Sequence, residues 1–408
     1  MGKVTSKEEI VDKGHKTKKG YLFIANGRIV PREQELSLEP VKTGSFEAPC
    51  MYAANELGYK LYMGINRDYA DQLKSVDYDI TFYNQHIYRN IFNLKDIWIG
   101  YKNLCRFLDE HPDVEVIHCN TPIGGVLGRI CGKKYGRKVI YMAHGFHFYK
   151  GAPLLNRTLF KFIEWGMAHK TDCLITINQE DYEAAKEFKL NKGGQVYKVN
   201  GVGIDTQSFE SITVDKTEKR RSLGLSDDAF IGIVVGDLND NKNVGTIIKA
   251  LPDTPRNVHI LICGFGPNEH LLKQQAVKLG VSDRCHFLGF RTDVKELLLI
   301  SDVFLFASKR EGLPRSTMEA MLASLPCVVS KIRGNVDLIE DGKGGFLVSP
   351  TDARKFAEAI NELASKPEER KQYGDYNRER INSFDIKIVE QQMLDIYKSV
   401  FENNSDNE

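Results

Sequence analysis

The densest chemical text in the chain is Ser308-Lys309-Arg310-Glu311-Gly312-Leu313-Pro314-Arg315, followed by STMEAMLASL. It comes directly after the apolar run DVFLFA, which reads as a strand, so it opens at that strand's carboxyl end. A helix predicted from Arg315 to Leu325 leaves its first backbone N–H groups unpaired. With Gly312 beside it, such an N-terminus suits a diphosphate. Glu311 stands in the loop ahead of the helix, and Glu319 lies more than a turn inside it. Carboxylates in these places accept hydrogen bonds from the hydroxyls of a polyol. Alone, the stretch reads equally as a helix-capping Glu311 and a solvated Glu319.

Three more glycine loops follow strands in the same half. Gly236-Asp237-Leu238-Asn239-Asp240-Asn241-Lys242 precedes the helical run VGTIIKAL, and a lysine at a helix start can neutralise a phosphate. Gly264-Phe265-Gly266-Pro267 ends another strand; it is not GxGxxG, which speaks against a dinucleotide oxidoreductase. Gly289-Phe290-Arg291 ends a third and adds a cation. In the N-terminal half, His144-Gly145-Phe146-His147 follows KVIYMA. A histidine there can hydrogen-bond a hydroxyl or a phosphate, or simply close a turn.

The elements that must position these loops are short apolar runs alternating with helical stretches. YLFIANG, VEVIHCN, KVIYMAHG and DCLITIN lie in the first half, and AFIGIVVGDL, HILICGFG, DVFLFAS and PCVVS in the second. That grammar is βα repetition around parallel sheets. Parallel sheets bind ligands beyond the carboxyl ends of their strands, and two such domains facing one another make a cleft. The chain divides into a basic leader over 1–19, an N-terminal domain over 20–203 and a C-terminal domain over 204–385. The last helix, about 386–402, carries Ile388, Met393, Ile396 and Tyr397 on one face and is expected to return to the first domain.

Composition sets the outer limits. With 408 residues, two α/β domains are the natural division. Lys and Arg number 56 against 55 Asp and Glu, which gives no basic excess for a nucleic-acid partner. The eight cysteines are scattered without a CxxC pair and fit free thiols in a reducing compartment. The leader has no apolar core of a signal peptide, and no run reaches the roughly 20 apolar residues of a spanning helix. Asp237 and Asp240 read as loop residues, so no metal ligand is assigned.

These loops together resemble the retaining glycosyltransferases of family 4, which have the GT-B fold. Glu311 and Glu319 meet the family's pair of glutamates with seven residues between them, Lys242 its loop lysine, and Asn200-Gly201-Val202-Gly203-Ile204-Asp205…Phe209 its interdomain sequence. The resemblance implies that Glu319 binds the donor's ribose and Glu311 the transferred sugar. It assigns the diphosphate to Lys242 and the amides around Leu313 and Pro314. Gly236, Gly266, Arg291 and Gly312 complete the expected donor site, and His144 joins Glu311 at the reacting centre. The family usually has arginine after the first loop's glycine, where this chain has Asp237; Arg291 or Arg315 would then compensate.

The run HCNTPIGGVLGR…IYMAHGFHFYKGAP is similar to bacterial capsular and exopolysaccharide transferases. That similarity implies a UDP-sugar donor, an acceptor sugar on a polyprenyl diphosphate, and a cytoplasmic enzyme at the inner face of the membrane. No cofactor is expected, and the reaction is expected to need no metal. The helical stretches over 87–108 and 154–170 mix aromatics with Lys and Arg, which suits an anionic lipid surface or a core-facing helix with a solvated basic side. A nucleotide-sugar epimerase of the same fold and a non-catalytic nucleotide-sugar binder are the rival readings.

Overall fold

In the computed structural model the described residues are 18–25, 38–88, 90–120 and 122–402. Most of the expected leader and residues 26–37 lie outside them. The apolar runs form two all-parallel sheets. The first contains Gly20–Ile24 (β1), Lys60–Ile65 (β2), Ile80–Asn84 (β3), Val114–Asn120 (β4), Lys138–Ala143 (β5), Cys173–Thr176 (β6) and Gln195–Lys198 (β7), in the order β3-β2-β1-β4-β5-β6-β7. The second contains Phe230–Val235 (β8), Val258–Cys263 (β9), Cys285–Gly289 (β10), Val303–Phe306 (β11), Cys327–Ser330 (β12) and Gly345–Val348 (β13), in the order β10-β9-β8-β11-β12-β13.

Central strands such as β1, β11 and β12 are buried along their whole length, because helices cover both faces of each sheet. In both sheets the strand order reverses beside the first strand, at β1/β4 and at β8/β11. There the following loops diverge to opposite faces and open a crevice.

The chain passes between the sheets twice, and the two passages lie side by side. Ile204 and Asp385 form a parallel bridge, with Ile204 N–H donating to Phe384 O at 3.0 Å and Ile386 N–H to Ile204 O at 2.9 Å. Gly203 has φ +77, and a Cβ there would lie 2.7 Å from Ile386 Cα. This close approach needs glycine for both conformation and space. Beyond it, helix Ile386–Glu402 returns to the first domain and buries Val389, Met393, Ile396 and Tyr397 against Tyr21, Phe23 and Met51. Ile388, expected on that face, is exposed instead; the inward stripe starts one residue later, at Val389.

Helix Arg315–Leu322 is shorter than its pattern suggested. It stops because Ser324 turns to φ +56 and Leu325 N–H reaches back to Ala320 O, placing Pro326 at the entry to β12.

Candidate active site

Loops that are far apart in sequence meet at the crevice of the second sheet. Gly236–Lys242 leaves β8 and Ser308–Pro314 leaves β11, the two strands that flank the reversal. They are joined by Lys309 N–H donating to Asn241 O at 2.8 Å and by Asn241 Nδ2 donating to Arg310 O at 3.0 Å. Asn243, at φ +53, anchors the first loop through Nδ2 to Ala307 O and Pro350 O. Gly236, at φ +149, lets the stem of Lys242 pass across it, since a Cβ there would lie 3.4 Å from Lys242 Cε.

Lys242 Nζ donates to Glu311 Oε1 at 2.8 Å, and Ser308 Oγ donates to the same oxygen. The second oxygen, Oε2, has no protein donor among the described residues. One oxygen thus fixes the carboxylate and the other remains free to accept from a ligand hydroxyl. Lys242 Nζ also lies 4.8 Å from the centre of the Phe306 ring, which holds the ammonium in place.

The N-terminal domain closes the other side. A Cβ on Gly312 would lie 2.0 Å from His144 O, and one on Gly145 would lie 2.9 Å from Arg333 Nη2. The two domains therefore touch through backbone, at positions where no side chain fits. Arg333 is almost wholly buried and spans the junction, donating to Asp181 Oδ1 at 2.7 Å and to Glu311 O at 2.9 Å. Burial pushes the Asp181 carboxyl up, while Arg333, the Asn178 amide and the Phe146 N–H pull it down.

Between the domains lies a cavity of about 350 Å³ lined by His144, Gly145, Phe146, His147, Asn241, Arg310, Glu311, Gly312 and Arg333. A hollow of about 380 Å³ at the outer edge of the first sheet is lined by that domain alone, including Asp68, Asp71, Arg106 and Glu110. Loops from both sheets converge on the first of these, which is the better candidate. The His144 ring stands edge-on to Phe46 at 5.0 Å. His147 is pushed down by burial and then by Arg310 and Arg333, which keeps it a neutral hydrogen-bonding group near pH 7.

Other expected donor residues have different surroundings. Arg291 is gripped by both oxygens of Asp293, at 2.7 and 2.6 Å, and Asp293 is also held by Lys219 at 2.7 Å. The two cations hold that carboxyl well below the usual range. Arg315 pairs with Glu319 at 3.1 Å, one turn along the same helix. Gly266 presses on the backbone of Leu238, 2.5 Å from its O if a Cβ were added, which is a packing reason for glycine. Leu313 packs against Gly201 of the interdomain passage. Pro314 precedes the helix, whose N-terminus has no side-chain cap.

Two residues that the spacing did not single out line the cavity, Arg310 and Arg333. Arg310 has no carboxylate partner among the described residues; its guanidinium lies 5.9 Å from the ring centre of Tyr149, on the opposite domain. Its signal in the sequence was its place just before Glu311. Arg333 had no signal, because its partner Asp181 is 152 residues away. Among the described residues no group of three or more His, Cys, Asp or Glu is placed to hold a metal ion.

Comparison with known proteins agrees with this architecture. The family described as Glycosyl transferases group 1 matches residues 215–380. The protein EpsD of Bacillus subtilis (strain 168), named as a glycosyltransferase, is 33% identical over 366 residues, 87% of this chain and 93% of its own. The UDP-Gal:alpha-D-GlcNAc-diphosphoundecaprenol alpha-1,3-galactosyltransferase of Escherichia coli is 29% identical over 292 residues, 69% of this chain and 73% of its own. The structure of Anabaena Alr3699/HepE with UDP superposes with a TM-score of 0.73 at 20% identity, over 93% of this chain and 100% of that one. The fold is GT-B, and the chain is a glycosyltransferase belonging to the group 1 family.

Proposed function

We propose that this enzyme moves a sugar from a UDP-sugar to a sugar carried on a polyprenyl diphosphate, with retention of configuration and without a metal ion. The observation that carries the reading is the fixed Glu311, held by Lys242 and Ser308 on one oxygen and open on the other, facing the His144 loop across the cavity. Two comparisons support the choice of substrates. Alr3699/HepE was solved with UDP and with UDP-glucose, and the Escherichia coli relative is named for a UDP-sugar and a lipid-diphosphate acceptor. The reading places the enzyme at the cytoplasmic face of a membrane, in capsule or exopolysaccharide synthesis.

In this reading the donor's diphosphate lies between the Lys242 loop and the start of helix Arg315–Leu322, with Glu319 on the ribose. Glu311 Oε2 accepts from a hydroxyl of the transferred sugar, and His144 orients it from the other domain. The bond from the anomeric carbon to the phosphate oxygen breaks as the acceptor oxygen bonds to the same face of that carbon. The acceptor's proton passes to the departing phosphate oxygen. Charge grows on that oxygen, and stabilising it is the main catalytic task. Arg310 lines the cavity, whereas Arg291 and Arg315 do not, so the cation that joins Lys242 in place of the missing loop arginine is Arg310.

The test is transfer from a panel of UDP-, GDP- and ADP-sugars to a short-chain lipid-diphosphate sugar, with and without EDTA. Proton NMR of the product reads the configuration of the new linkage. Retained configuration with undiminished rate in EDTA is expected. An inverted linkage, EDTA-abolished activity restored by a divalent ion, or an isomerised donor without transfer would each overturn the reading.

A further inference from the structure

Helix Leu154–Ala168 carries its apolar stripe outward. Leu154, Leu155, Leu159, Phe162 and Trp165 follow the spacing of one helical face, and all are exposed, from 46% to 75%. Ala168 is the one buried residue of the helix. Its inner side holds a polar group instead: Glu164 accepts from Arg129 at 2.7 Å and from the Tyr141 hydroxyl at 2.6 Å. Helix Leu94–Glu110 flanks the same neighbour, helix Ile123–Tyr135. At its start Phe92, Leu94 and Trp98 are exposed as well, Phe92 to 87%. The chain has two tryptophans, and both are here, each more than half exposed.

So many large apolar side chains on two elements that pack against the same helix mark an interaction surface. The charges around them choose the partner. Arg157 and Lys161 are exposed on the first helix, Lys161 paired with Glu187 at 3.0 Å, and the helix's one acidic residue, Glu164, is turned inward. On the second, Lys95 and Lys102 are exposed, and Lys102 Nζ lies 3.6 Å over the Trp98 ring. Asp96, the acid nearest them, accepts from Asn93 Nδ2 at 2.6 Å and pairs with His86 at 3.1 Å, while Asp109 and Glu110 are exposed at the helix's other end. A second copy of the chain would set this basic face against itself in a twofold pair. Tryptophan, Leu and Phe fringed by Lys and Arg match the headgroup region of an anionic bilayer.

We infer that the outward faces of these two helices dock the enzyme on an anionic lipid bilayer. Helix Leu154–Ala168 begins directly after the cavity-lining loop His144–His147 and the short stretch to Pro153, and Phe160 packs on His147 at 4.8 Å. Docking therefore brings the cleft's N-terminal wall to the lipid surface, where a lipid-linked acceptor would be presented. The inference does not depend on which donor is used.

Both tryptophans lie on the proposed surface, so intrinsic fluorescence reads docking directly. Full-length protein is titrated with phosphatidylglycerol vesicles and, separately, phosphatidylcholine vesicles. A blue shift and co-sedimentation with the anionic vesicles, weakened by added salt, are expected. Leu155→Glu with Phe162→Glu should cut vesicle affinity at least tenfold and leave transfer to a tail-less, water-soluble acceptor unchanged. Loss of that transfer in the wild type would count against the proposed reaction but not against docking. No shift with either vesicle, equal response to neutral lipid, or a shift that grows with protein concentration as the mass doubles would overturn the inference.

Discussion

Cations near the second sheet's glycine loops look alike in the sequence and have different neighbours in the fold. Arg291 is clamped by Asp293, Arg315 by Glu319 and Lys242 by Glu311, while Arg310 faces the cavity without a carboxylate among the described residues. A charge-assisted hydrogen bond contributes about 1.5–3 kcal/mol. Arg310→Ala should therefore lower kcat/KM about 10- to 100-fold, and Arg291→Gln should change it less than about threefold. Steady-state kinetics of the two variants decide between them; equal losses would contradict the assignment. Glu311 and Glu319 could be singled out as a pair because a fixed spacing sets them along one loop and helix. The division of labour among the arginines was not legible, because it depends on which carboxylate each one meets, and Asp293, Glu319 and Asp181 claim three of them.

Elements met the expected grammar where the signal was local. Apolar runs closed by glycine became parallel strands, and both strand orders reverse beside the first strand, where the cleft loops emerge. What spacing could not convey was how closely one backbone approaches another. Gly312 was expected to serve a diphosphate, yet its nearest neighbour is His144 O of the other domain, 2.0 Å from where a Cβ would sit. Gly312→Ala must push the two loops apart. A misplacement of about 1 Å can cost about 100-fold in rate. We expect a kcat loss of that order, with donor affinity changed much less. Gly166→Ala is the matched control, since nothing lies within 4 Å of a Cβ there and the position is helical; its kcat should be unchanged. Comparable losses in both variants would show that the Gly312 contact has no special part. Helix Leu154–Ala168 is the converse case: its aromatic and basic composition was visible, but whether the apolar stripe faced in or out was decided by Glu164 taking the inner side.

The whole molecule is a pair of sheets held by the double passage at Ile204 and Asp385, the Arg333–Asp181 bridge and the returning C-terminal helix. That helix ties Tyr397 to Tyr21 and His118 in the core of the first domain. Burial pushes His118 down to about 3 from an ordinary value near 6.5. A neutral core histidine costs nothing above pH 6.5, but the unfolded chain takes up its proton as pH falls below that, so stability is lost progressively from 6.5 towards 3. For this one group the loss is about 1 kcal/mol between pH 7.5 and 5.5. Burial shifts His147, His259 and His286 in the same direction. Urea midpoints should fall over that interval, and less steeply in His118→Phe; an identical slope in the variant would contradict the account. The central claim is that the crevice between the sheets is where the sugar is transferred. Acceptor-dependent release of UDP, followed for the wild type and for Glu319→Ala, tests it most directly. The account predicts release that requires the lipid-diphosphate acceptor and falls at least about 100-fold in the variant. Release by the variant at the wild-type rate would show that the transfer occurs elsewhere.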